Sequence, residues 1–359
     1  MDLSPLQYIT LWILFLLFSC IRKVDPPIRT VSPILVVEGW ITTDPAPYQI
    51  KLSYSGQYAA AFQLTDKQFI SDVHVRIEDD LGHSTSCAWL SEGNYQTTDS
   101  GFVGLVGRSY RLIIQLSNGK TYSSSPEKIE QVPPIDSVSV LYDSTYITDI
   151  RPTQLVLSVH THDAAGTQNY YRWTASGYIP RRSSGAPCSI GSPPCGMECM
   201  CYAFCVQYLS NDRINIFADQ FTDGNEIVQP VFYSPIYWMG VHFIQVNQYS
   251  ISRPAYEFWQ AFLDQTNRTG SILDPLPASL TGNIYNIADS GDRALGYFSA
   301  SMVASKKVKI TPEFLQEYYL RSIAGAYIKQ GDCQYVFPDA LNDDESPPGW
   351  ETAESIELK

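Results

Sequence analysis

Charge is scarce in this 359-residue chain. Asp, Glu, Lys and Arg make up 17% of it, and 24 Lys+Arg face 37 Asp+Glu, a formal net charge of −13. So acidic a surface repels phosphate backbones, which excludes non-specific nucleic-acid binding. Histidine is scarcer still, with five in all. Neither H-E-x-x-H nor G-x-S-x-G occurs, which excludes the zinc-protease helix and the hydrolase nucleophile elbow. Long apolar runs are missing as well. The run Tyr8–Phe18 has 11 residues, against the ~20 that a spanning helix needs. Disorder as the main state is excluded from the other side, because 44% hydrophobic residues can build a packed core.

The short apolar run has the length of a signal-peptide core. It ends in Leu17-Phe18-Ser19-Cys20, which resembles a bacterial lipobox, where a small residue precedes a Cys that is lipidated. Phe18 is bulky for its place, and no Lys or Arg precedes the run. The rival reading is an anchor helix that stays attached. We expect residues 1–19 to be a lipoprotein signal peptide and Cys20 to be the lipidated N-terminus. The Pro-containing residues 20–33 then form a tether to the membrane. Residues 21–25 (IRKVD) leave the surface and periplasmic faces undecided.

After the tether the pattern is β. Val73, Val75 and Ile77 share one face of an alternating run, as do Tyr110, Leu112 and Ile114, and Asn118-Gly119 is a hairpin signal. About seven strands in about 90 residues predict an immunoglobulin- or prealbumin-like sandwich over 34–131. Val132-Pro133-Pro134-Ile135 reads as a boundary. A second β module is expected over 135–340, fibronectin type III-like, with insertions and one or two short helices. One helix, 253–265, carries the stripe Ala255, Phe258, Trp259, Phe262 and Leu263. We expect it to be a core brace with Trp259 mostly buried. A second helix is expected from Thr311-Pro312-Glu313, and residues 341–359 form an acidic, frayed tail.

Residues 180–205 read as an aperiodic Cys-rich insertion. Cys188, Cys195, Cys199, Cys201 and Cys205, with Cys333, are candidates for at least two disulfides, since export is oxidising and crosslinks order a loop that cannot bury its own core. A zinc site is the rival, but the C-x₃-C-x-C-x₃-C spacing with no nearby His does not suit it. Cys87, beside Trp89, reads as a buried free thiol. His160-x-His162 aligns on one strand face and reads as a polar face; Asp219-x-x-x-Asp223-Gly224 resembles a calcium loop but lacks its later ligands and reads as a turn. The segment Asp274–Asn286 and the Cys-rich insertion, the long irregular stretches, are expected to form a contact surface. No catalytic residue, metal or cofactor is expected.

Several blocks carry a family resemblance. Val36-Val37-Glu38-Gly39-Trp40-Ile41, Gly107-Arg108-Ser109-Tyr110, Pro133-Pro134-Ile135-Asp136-Ser137, Tyr256-Glu257-Phe258-Trp259 and Leu295-Gly296-Tyr297-Phe298-Ser299 resemble an uncharacterised lipoprotein family of Bacteroidota, with matches from about 20 to about 333. That family is a domain of unknown function whose members are encoded beside TonB-dependent receptors. The resemblance implies an outer-membrane lipoprotein partnering such a receptor and assists the reading of a small nutrient ligand; it assigns no catalytic residue. Our expectation is a non-enzymatic accessory to nutrient capture. The alternatives are a structural or adhesive Ig-like surface protein, and a hydrolase with unrecognised carboxylates.

Overall fold

The computed structural model describes residues 33–55, 68–143, 154–184, 202–211, 213–237, 240–267, 280, 282–311, 329–337, 339–342 and 347–356. The expected signal peptide, Cys20, Cys188, Cys195, Cys199, Cys201 and the helix expected beyond Thr311 lie outside the described residues.

The chain is mainly β, arranged as sandwich-like layers. Strand Leu35–Thr42 buries Leu35, Val37 and Ile41 and turns Val36, Glu38 and Trp40 outward, a period of two. It pairs antiparallel with Gln49–Tyr54. Val73–Asp79 pairs antiparallel with Ser109–Leu116, setting Val75 opposite Ile114 and Ile77 opposite Leu112 in the first core. The Asn118-Gly119 hairpin forms as expected: Leu116 N donates to Lys120 O at 2.9 Å, and Gly119 holds φ +84°.

The module boundary needs correction. Residues 284–301, expected in the second module, belong to the first sheet. Ile284–Asn286 pairs with Thr121–Ser124, and Leu295–Ser301 runs parallel to Leu35–Thr42. The latter pairing covers an edge whose N–H and C=O groups would otherwise lack ladder partners. Alternation tells which face of a strand is buried but not which sheet it joins. The close pairing depends on Gly296, whose φ is +90° and whose added Cβ would lie 1.9 Å from Val37 O.

The second module begins at Ser137, just after the two prolines. A three-stranded sheet (Ser137–Asp143, Gln154–His162, Glu226–Pro235) packs on a larger one whose centre is Tyr170–Ser184, His242–Ser250 and Val303–Ile310. Leu155, Leu157 and Phe232 from the first sheet meet Tyr171, Trp173 and Val246 from the second in one core.

Two more expectations change here. The ends of the supposed 180–205 insertion are ladder: Tyr170–Ser184 continues through Pro180 and pairs antiparallel with Tyr202–Ser210, with Arg181 opposite Cys205. Cys205 is bonded to Cys333 across 128 residues, one of the expected disulfide links. Nor is the tail wholly frayed. Ala340–Asn342 pairs with Tyr202–Ser210, and Glu354–Ile356 pairs with Val303–Ile310. Between them Trp350 is buried, its ring centroid 5.7 Å from that of Phe243. One buried indole and two exposed sheet edges outweigh the local acidity.

Candidate functional site

The helix Arg253–Thr266 starts at Ser252, whose Oγ accepts from Ala255 N at 3.2 Å. The same hydroxyl donates to Glu127 Oε2 at 2.6 Å, and Tyr297 Oη donates to Glu127 Oε1 at 2.6 Å. Asn283 Nδ2 adds a third donor at 3.3 Å. Glu127 is thus buried without a bridging cation among the described residues. Burial raises its pKa, while the hydrogen bonds to Ser252, Tyr297 and Asn283 oppose that rise.

The inner part of the helix is a brace, as its apolar stripe requires. Ala255 and Phe258 are buried beside Ile251 and Tyr297, with the Phe258 and Tyr297 ring centroids 5.1 Å apart. The outer part is more open: Trp259 packs against this core and is mostly covered, as expected, but keeps part of its ring exposed, and Phe262 is 37% exposed. The stripe is broader than the sheet contact it meets, so its outer aromatics face a cavity of about 1070 Å³.

Three walls close around that cavity. Trp259, Phe262 and Leu263 come from the helix. Val36, Glu38 and Trp40 come from the outward face of the first strand, and Gly39 and Gly296 line the same wall. Arg172, Thr174, Arg213, Gln229 and Tyr233 come from the second module. A smaller hollow of about 50 Å³ continues past Trp40 and Arg172 to Tyr249.

The two arginines dominate its electrostatics. Arg172 stacks over Trp259, 4.0 Å from the ring centroid, and Arg213 stacks over Tyr233, also at 4.0 Å. Among the described residues, no carboxylate bridges either guanidinium and no hydrogen bond from either is formed. Burial pulls the Arg172 pKa below the ordinary arginine value, with Tyr249 acting the other way. Glu38 is exposed and is the sole carboxylate lining the cavity among the described residues. Trp259 Nε1, shielded from solvent, has no acceptor there.

The sequence-derived candidates lie elsewhere. His160 and His162 share a strand face but take separate partners, His160 with Glu226 at 3.0 Å and His162 with Asp136 at 2.7 Å. The hydrogen bond to Asp136 raises the His162 pKa. Asp219-x-x-x-Asp223 does form a turn, with Thr222 N donating to Asp219 O at 2.6 Å. The fold adds Asp163, and oxygens of the three acids lie within 4.8 Å of one another. Part of their acceptor capacity is taken up by the chain: Tyr171 Oη and Gly224 N donate to Asp163, Asn169 N donates to Asp219 at 2.7 Å, and Gly166 N donates to Asp223 at 2.8 Å. Cys87 is the buried free thiol expected, its pKa pushed up to about 12 by burial. Of the expected contact loops, 185–201, 274–279 and 281 lie outside the described residues, and Ile284–Asn286 is strand.

A family model described as Domain of unknown function (DUF4249) matches residues 21–307. The chain belongs to the DUF4249 family. No curated protein matches it. The DUF4249 match takes in every described residue that lines the cavity, from Val36 to Ser299. Cys333 and the tail strands lie beyond it. The cavity residues of this DUF4249 chain were open to sequence reasoning in part. Period-two alternation puts Trp40 with Glu38 and Val36, and Arg172 with Thr174, on the faces opposite the cores. What no local pattern gives is that those two outward faces meet.

Proposed function

We propose that this protein is a non-enzymatic outer-membrane lipoprotein that captures an organic nutrient in the three-walled cavity and presents it to a TonB-dependent receptor. The observation that carries the reading is the cavity itself. At about 1070 Å³ it is slightly larger than the ~300–1,000 Å³ range of small-molecule sites. It is walled by partly exposed aromatic rings with a few polar groups, the composition that such sites share. A binding role fits the titratable groups better than catalysis does. A glycosidase-type mechanism uses two carboxylates, and Glu38 is the sole one lining the cavity among the described residues. The short apolar run ending at Ser19-Cys20 supports the lipid anchor, and the family resemblance supports the receptor.

The test is purification of the natively exported, tagged protein in mild detergent. A β-barrel receptor that co-purifies, and is lost when Cys20→Ala releases the protein from the membrane, is the expected result. Turnover of any substrate that Glu38→Gln abolishes would overturn the non-enzymatic reading.

A further inference from the structure

The cavity has one wall of hydrocarbon and one of positive charge. Phe262, Leu263 and Leu280 offer a surface without polar atoms in the side chains. Arg172 and Arg213 line the same cavity from the second module, each laid flat on an aromatic ring. Stacking fixes the plane of a guanidinium and leaves its in-plane N–H donors unused. A partly buried cation that has no acceptor costs free energy, and a bound anion relieves that cost. The lining carries two arginines and one glutamate, a net charge of +1 in a chain whose total is −13. The local sign therefore opposes the global one, which is the condition for selecting an anion from a mixture.

We infer that the cavity takes an amphipathic organic anion: a flat apolar body against Trp259 and Phe262, with an oxyanion head group held by Arg172 and Arg213. This rests on the capture reading and names the ligand class for that same site. The guanidinium fork matches the paired oxygens of a carboxylate or a phosphate. Arg172 is the main discriminator, because its side chain is the less exposed of the two and its charge is less screened by water.

Two probes with nearly the same rings separate charge from hydrophobicity. 8-Anilinonaphthalene-1-sulfonate carries an anionic group, and N-phenyl-1-naphthylamine carries none. On the full-length native protein, the anion should bind at least about tenfold more tightly, and raising the salt should narrow that gap. In Arg172→Gln/Arg213→Gln the gap should close to about twofold while the neutral probe keeps its affinity, which also shows that the cavity is still folded. Arg213 is exposed, so Arg213→Gln alone should narrow the gap without disturbing the fold. Competition by 2-naphthoate and 2-naphthyl phosphate should then rank the head groups. If both probes bind the native protein equally, or if uncharged 2-naphthol competes as well as the two anions, the anion inference fails and the capture site stands. If neither probe binds, the capture site itself fails.

Discussion

Trp259 and Trp173 show what one residue's surroundings decide. Trp173 is fully buried and its Nε1 donates to Gln248 Oε1 at 2.8 Å. Trp173→Ala should cost about 3–5 kcal/mol in denaturant melts, the usual range for emptying a large aromatic site. Trp259 faces the cavity on one side, so Trp259→Ala should cost only about 1–2 kcal/mol, with weaker binding of aromatic probes as its main effect. A loss as large as that for Trp173 would restore the helix stripe to a pure core role. Glu127 gives a pH prediction. Its folded pKa is raised above the ordinary 4.5, chiefly by burial. The stability it contributes is therefore complete below that ordinary value and is lost as pH rises through the folded pKa. Glu127→Gln removes the buried charge and keeps one acceptor oxygen for Tyr297 and Asn283, while its amide N–H₂ replaces the oxygen that accepts from Ser252, whose hydroxyl can turn to accept instead. Its melting temperature should exceed the native one at pH 8, and the difference should vanish towards pH 4. A difference that stays constant with pH would mean that Glu127 does not titrate in this range.

At the scale of elements, the strands were legible and their partners were not. Val73–Asp79, Ser109–Leu116 and the Asn118-Gly119 hairpin follow from alternation and turn chemistry. The helix follows from its cap and its stripe. Leu295–Ser301 looks like any other strand until it is seen beside Leu35–Thr42, because sheet membership depends on residues more than 250 positions away. The same limit applies to the hairpin Tyr170–Ser184/Tyr202–Ser210, whose Cys- and Pro-rich ends hid a regular ladder. The Cys205–Cys333 link ties that hairpin to the C-terminal segment. In the chain-entropy account a loop of over 100 residues is stabilised by about 4–5 kcal/mol, so Cys333→Ser should lower the unfolding free energy by roughly that amount. An unchanged denaturant midpoint would show that the segment is held by its strand pairing alone.

The whole molecule is two β cores joined by a helix, a buried glutamate and the chain crossing back to the first sheet. Its tail belongs to the second core. Truncation after residue 339 removes Ala340–Asn342, Trp350 and Glu354–Ile356 together. The truncated chain should melt several degrees lower, by roughly the 3–5 kcal/mol that a buried large aromatic is worth, and it should bind apolar dyes at the bared sheet edges. An unchanged melt would return the tail to the frayed state that its composition suggests. The sequence by itself determined the β class, the break at Val132-Pro133-Pro134, the helix, the buried Cys87 and the acidic surface. Each of these is a local property, set by the period of apolar residues, by turn chemistry or by composition. Only the tertiary structure decided the cavity. Trp40 and Arg172 point away from their own cores for separate local reasons, and a parallel strand pairing with a glycine at Gly296 brings those outward faces together with the helix. Side-chain alternation fixes the direction in which a residue points, but what it meets there depends on contacts between distant parts of the chain.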